Sequence, residues 1–187
     1  VRLVGSEMCI RDSIGGVKEL IKAYPNVKIC GPKNNFNFVC KEVENDDLVV
    51  IDVLNISFRV IATPGHTLDH IVFADENHLF CGDTIFGCGC GRLFEGTFSQ
   101  MHTSLNILSK LPRSIKIFCA HEYTKKNIEF ALMIEKNNEA LIARKKSLIG
   151  VDITLPSTLS EELKTNPFLR SKNLAQFKER RIRKDNF

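Results

Sequence analysis

Apolar and polar positions follow two rhythms along this chain, and the change from one to the other divides it. Val17, Leu20, Ile21 and Tyr24 recur at the three- and four-residue spacing of a short amphipathic helix. That helix opens at Gly15-Gly16 and stops at Pro25-Asn26. Val27–Cys30 reads as a short strand, and Gly31-Pro32-Lys33-Asn34-Asn35 as a loop. From Leu54 to Ile61 the period shortens to two, which puts Leu54, Ile56, Phe58 and Val60 on one face of a strand. Short strands are expected at His70–Ala74, Leu79–Cys81 and Ile115–Cys119, and a Gly-rich loop over Gly87–Gly96. A helix around Gln100–Lys110 carries Met101, Leu105 and Leu108 in register. Beyond Thr124 the strand rhythm disappears. Thr124–Glu135 and Asn138–Ile149 read as helices, and Thr158-Leu159-Ser160-Glu161 has the capping-box spacing of a third.

Composition narrows the class. With 187 residues, 43% hydrophobic and 26% charged, the chain can bury a substantial core. No apolar run is long enough to span a bilayer, which argues against a membrane protein. Val1–Ser13 lacks the apolar stretch of a signal peptide and resembles a translated sequencing-library adapter, so residues 1–13 are set aside as a foreign leader. The seven cysteines are odd in number and several lie in apolar runs, as reduced core thiols of a cytoplasmic protein do. Cys88-Gly89-Cys90 is too closely spaced for a zinc-finger pair and has no second pair to complete it. The net charge is +4, yet Arg170–Phe187 alone holds seven basic and two acidic residues, so the remainder is slightly acidic. A solvated helix face would explain that tail; no aromatic interleaving or nucleic-acid motif accompanies it.

Candidate chemistry sits where strands end. His66, Asp83 and His121 each follow a strand-like run and are flanked by Gly or another small residue. His, Asp and His suit zinc, iron or manganese, and a carboxylate can bridge two ions. On spacing alone, a metal site and three hydrogen-bonded loop residues both remain open.

Longer motifs carry a resemblance. Thr63-Pro64-Gly65-His66-Thr67, Cys81-Gly82-Asp83-Thr84 and Ala120-His121-Glu122-Tyr123 resemble three successive signatures of the metallo-β-lactamase superfamily. Gly89–Thr97 is similar to a loop of glyoxalase II, the hydroxyacylglutathione hydrolases, and Pro156–Leu159 and Asn166–Arg170 resemble that family's helical C-terminal region. The resemblance implies an α+β fold: an αββα sandwich over residues 14–123, followed by a helical glutathione-binding domain over 124–187. It implies hydrolysis of S-D-lactoylglutathione to D-lactate and glutathione, at paired divalent ions that activate a water. Zinc is the first choice of metal, with iron or manganese as alternatives. His66 and His121 would each ligate one ion and Asp83 would bridge them. Arg92, Phe94, His121, Tyr123, Arg181 and Lys184 would contact glutathione. The partner is then a small molecule, with no nucleic acid or membrane, and the protein a cytoplasmic monomer.

The chain also departs from the family. A His-x-His-x-Asp-His loop precedes the Gly-Gly-x-x-x-Leu helix start in that family, whereas Arg11-Asp12-Ser13 precedes it here. Asp12 has no His after it and is no substitute. The chain therefore reads as truncated at its N-terminus, lacking half of its metal site and its first strands, and as weakly active by itself. Asp69 and Ala120 replace the more usual Gly, and Phe94 stands where some members have Tyr, without removing a ligand. The alternatives are a glutathione persulfide dioxygenase of the same superfamily and a non-catalytic glutathione- or metal-binding remnant.

Overall fold

The computed structural model describes residues 2–3, 16–33, 39 and 41–187. Most of the leader, Asp12, Gly15, Cys9 and Cys40, and the end of the 31–35 loop lie outside the described residues. Seven elements precede the first signature loop or flank it: β1 (Arg2–Leu3), α1 (Val17–Ala23), β2 (Ile29–Gly31), β3 (Lys41–Glu42), β4 (Leu48–Ile51), β5 (Ile56–Ala62) and β6 (Ile71–Ala74). Next come β7 (His78–Gly82), β8 (Ile85–Phe86), β9 (Gly89–Cys90), α2 (Phe98–Leu108) and β10 (Lys116–Cys119). The last are α3 (Thr124–Ile134), α4 (Glu139–Ser147), β11 (Ser157–Thr158), α5 (Leu159–Thr165) and α6 (Leu174–Asp185).

The main sheet has six strands in the order β11-β10-β7-β6-β5-β4. Only β10 and β7 pair in parallel; the other neighbours are antiparallel. Two antiparallel steps separate β5 from β7, so β5, β7 and β10 all run the same way. The loops after all three therefore leave the sheet at one edge, which is how residues 66, 83 and 121 come together.

Each face of the sheet has its own core. On one, Ile61, Val72, Leu79 and Ile117 pack against Met101, Leu105 and Leu108 of α2, with Phe130, Leu159, Phe168 and Phe177 from the C-terminal helical region. The helical region thus shares one apolar core with the sheet. On the other face, Val49, Val60 and Phe73 pack with Cys30 and Val43 from the β2–β3 side. A row of rings, Phe58, Phe80 and Phe118, continues that face along an open groove of about 500 Å³. No described helix is long and apolar enough to cross a membrane.

Several expectations need adjustment. Leu54 does not extend β5; it ends a short 3-10 turn, Asp52–Leu54, closed by Asn55 in the left-handed region (φ 51°). Strand β4 was not read from Leu48–Ile51, whose run of apolar residues lacks a clean alternation. Arg2–Leu3, set aside with the leader, pairs in parallel with Ile29 and Cys30. Tyr24, placed on the apolar stripe of α1, is 64% exposed; Val17 is buried, with Ile21 packed against the same cluster. Of the five described cysteines, four are buried, as the core reading expects, and Cys119 is half-buried.

The helical region is fastened to the Gly-rich loop by a buried polar cluster. Glu162 is fully buried and accepts hydrogen bonds from the Cys88 backbone N–H (2.8 Å), Arg144 (2.7 Å) and the Asn166 amide (3.1 Å). Arg144 also donates to the Thr165 hydroxyl at 2.7 Å. Removing one member of a buried ion pair strands the other charge without solvent. Arg144→Ala should therefore lower unfolding stability by about 3–5 kcal/mol in a denaturant titration. Joint replacement of Arg144 and Glu162 by apolar residues should recover much of that loss.

Candidate active site

The site is built from three turns that leave the same edge of the sheet. After β5, Gly65 takes φ +156°, and a Cβ there would lie 2.8 Å from the Met101 backbone, so only glycine lets the turn sit on α2. This places His66, which is 6% exposed. Its Nδ1 lies 2.7 Å from the Arg92 carbonyl oxygen, which can only accept, so Nδ1 carries the proton and Nε2 the lone pair. After β7, the Asp83 side chain is almost fully buried between the two imidazoles. Its Oδ2 lies 3.7 Å from His66 Nε2 and its Oδ1 3.4 Å from His121 Nε2. Gly91 closes over this pair: a Cβ there would fall 1.9 Å from the Asp83 carbonyl oxygen and 3.2 Å from His66 Nδ1.

His70 is the residue that motif reading passed over. It lies four positions after His66 and is buried, and burial first, then the neighbouring His66, lowers its pKa to about 3. Neutral His70 accepts from the Asp83 backbone N–H through Nε2 at 3.3 Å. Its Nδ1 is 3.1 Å from the hydroxyls of both Thr63 and Thr84. His70 thus ties the first two turns together and holds the backbone of Asp83. Its signal was a second His in the first motif.

The three candidate ligands suit a bridging arrangement. A lone pair on His66 Nε2 facing a carboxylate oxygen is repulsive unless a cation or proton lies between them, and each Asp83 oxygen has its own imidazole. Two imidazoles and a carboxylate are donors that suit a divalent ion, and His66, Asp83 and His121 would hold part of such a site. The set is partial: among the described residues, no group of three or more His, Cys, Asp or Glu side chains gathers around one metal position.

A second feature adjoins the first. The His121 ring stacks on Tyr123 at 4.8 Å, and both meet Phe86 edge-on at 5.9 and 5.4 Å. Phe86 and Tyr123 in turn line a pocket of about 360 Å³ together with Arg92, Lys126, Arg181, Lys184, Asp185 and Phe187. Four predicted contact residues, Arg92, Tyr123, Arg181 and Lys184, are thereby brought together. Phe94 is not in this lining; it stands edge-on to the His66 ring at 5.0 Å. Lys126, three residues past Tyr123 in the first turn of α3, and Asp185 were not singled out from sequence.

Arg181 is held by contacts within the protein. It is buried, donates to the Cys90 carbonyl at 2.8 Å and to Asp185 at 3.0 Å, and lies over the Phe168 ring at 5.1 Å. It lines the pocket with its guanidinium already engaged by Cys90 and Asp185. Lys184 is freer, with its Nζ 5.0 and 4.7 Å from the rings of Phe130 and Phe187. Burial, then repulsion from Arg181 and Lys126, lowers its pKa to about 8.

Both features share the loop from Phe86 to Phe94. Asn166 donates to the carbonyls of Phe86 (3.1 Å) and Gly89 (2.9 Å), and Glu162 holds Cys88 in the left-handed region (φ 54°). The buried Cys88 thiol is pushed up to about 12 by burial, then by Glu162. Arg144 also donates to this thiol at 3.1 Å.

Residues 12–121 match the model of the metallo-beta-lactamase superfamily, and residues 122–187 match that of the hydroxyacylglutathione hydrolase C-terminus. A hydroxyacylglutathione hydrolase of Pseudoalteromonas translucida is 46% identical over 165 residues, covering 86% of this chain and 63% of the relative. One from Prochlorococcus marinus is 40% identical over 196 residues, covering 94% of this chain and 75% of the relative. The chain spans 63–66% of several such relatives. Among solved structures, ETHE1 from Myxococcus xanthus superposes with a TM-score of 0.68 at 23% identity, covering 91% of this chain and 64% of that one, a likeness of fold. A metallo-beta-lactamase from Staphylococcus aureus superposes with a TM-score of 0.64 at 26% identity, covering 89% and 47%. With one model spanning its sheet, another its helical end, and relatives at these identities, the chain belongs to the hydroxyacylglutathione hydrolase family of the metallo-β-lactamase superfamily.

Proposed function

We propose that this chain carries the glutathione pocket and one half of the metal centre of a thioesterase that hydrolyses S-D-lactoylglutathione to D-lactate and glutathione. One observation carries the reading. A carboxylate shared between two imidazoles lies beside a cationic pocket, with the His121–Tyr123 ring stack joining the two. A tripeptide with carboxylates at its ends and a thioester in the middle matches that layout.

The superfamily implies divalent metal binding, and zinc is our choice, with iron or manganese suited to the same donors. His66, Asp83 and His121 would hold part of a metal pair; the described residues supply no more of its coordination. Bound there, the ions would acidify a water and polarise the thioester carbonyl. The remaining work belongs to the protein. The Arg92 carbonyl fixes the His66 tautomer, and His70 fixes the Asp83 backbone. Lys184 and Lys126 attract the carboxylates of the tripeptide. The departing thiolate is a good leaving group, so no acid beside it is required.

Thioester hydrolysis by this chain and by a version extended with the family's His-x-His-x-Asp-His segment, each supplied with zinc, tests the reading. Strong activity in the extended protein, weak activity in this chain, and loss on chelation are expected. Asp83→Asn in the extended protein should lower kcat/KM by about 100-fold or more. Consumption of glutathione persulfide without thioester hydrolysis would instead favour the dioxygenase reading.

The pocket makes a separate prediction about pH. A ligand carboxylate needs Lys184 protonated, and its pKa in the free protein is about 8. Glutathione affinity, measured by calorimetry, should hold steady below that pH and fall as pH rises through it. Lys184→Ala should abolish that fall.

A further inference from the structure

Asp185 is an anomaly in its surroundings. Four cations, Arg92, Lys126, Arg181 and Lys184, line the pocket, and Asp185 is the acidic residue among them. A single carboxylate oxygen, Oδ1, accepts from Arg92 Nε at 3.1 Å and from Arg181 at 3.0 Å. The Asp185 backbone carbonyl accepts from Arg92 as well, at 3.4 Å. The two arginines come from parts of the chain far apart in sequence, the loop after β9 and helix α6. Asp185 is also the last residue of α6, where the helix dipole disfavours a negative charge. Its place is supported by the guanidinium groups rather than by the helix.

This is the contact that an incoming carboxylate would make. Two guanidinium groups converging on one anion form a carboxylate-recognition arrangement, and here the anion belongs to the protein. A ligand carboxylate that approaches Arg92 must displace Asp185 or lie beside it against like-charge repulsion. Lys184, one residue away, has no carboxylate in ion-pair contact among the described residues, so one cation is open and the other is already matched.

We propose that Asp185 is an internal competitor for the pocket: it occupies Arg92 in the empty state, weakens the hold on glutathione carboxylates, and thereby favours release of the product. The inference rests on the pocket being the glutathione site. It concerns the balance between binding and release at that site. Arg92 is 57% exposed and Asp185 31%, so the pair is partly screened and the effect is modest and sensitive to salt.

Calorimetric titration of glutathione into the wild-type chain, Asp185→Asn, Arg92→Ala and the double variant provides the test. Asparagine keeps the shape and can still accept from the arginines while removing the charge. Asp185→Asn should tighten glutathione binding about three- to tenfold at low salt. The gain should shrink as salt is raised, and should vanish in the Arg92→Ala background. Asp185→Ala, which suits a helix end equally well, should shift affinity the same way if the asparagine variant does not fold. Unchanged affinity in a folded variant overturns the inference. So does weaker binding, and weakening seen with glutathione but not with N-acetylglutathione would identify Asp185 as the partner of the ligand ammonium. Absence of glutathione binding to the wild-type chain would instead remove the pocket assignment itself.

Discussion

The carboxylate of Glu162 has no exposure to water and three donors around it, and much of the site follows from how those donors are arranged. Burying a carboxylate is favourable only if its oxygens are paired and hydrogen-bonded. Arg144 supplies the charge, Asn166 an amide, and the backbone of Cys88 the third contact. That last donor comes from the Gly-rich loop. Its position cannot drift without leaving the anion under-coordinated, so the loop is tied to the helices with the strength of a charged interaction.

Loop placement then propagates to both functional features. Cys90 is held through its carbonyl by Arg181, Gly91 closes over Asp83, and the Arg92 carbonyl accepts the His66 proton. Backbone atoms of one loop thus set the tautomer of one candidate ligand and roof another, while the Arg92 side chain lines the anion pocket. The metal-facing and glutathione-facing sides are two surfaces of the same short segment. Helices α5 and α6, which bring no candidate metal ligand, are therefore part of the site's architecture.

Much of this was legible in the sequence. Strand ends followed by Gly-flanked His and Asp marked the candidate ligands, because period-two runs and glycines are local signals. The helices after Thr124 were equally plain. Less visible were features that depend on partners distant in the chain. Arg181 looked like a cation awaiting a ligand, and only packing against Phe168 and Cys90 shows it buried and occupied. Asp185 carried no signal within a basic tail. Nothing in the local sequence distinguishes Glu162, since its burial depends on Arg144, Asn166 and Cys88. His70 was present in the motif, but its role as a backbone holder needed the third dimension. Strand β4 escaped because both alternating and non-alternating apolar runs can form an edge strand.

The span of these contacts has a consequence for how the molecule assembles. Cys88 meets Glu162 across 74 residues, Gly89 meets Asn166 across 77, Cys90 meets Arg181 across 91, and Arg92 meets Asp185 across 93. The sheet hairpins and α2 close over far shorter distances, and long loops are entropically slower to close. Closing the contacts of this loop therefore costs somewhat more chain entropy than closing a hairpin. Helices α5 and α6 supply the groups that hold Cys88, Gly89 and Cys90. A change in α5 or α6 can therefore disturb the loop that carries Gly91 and Arg92 without touching a candidate ligand.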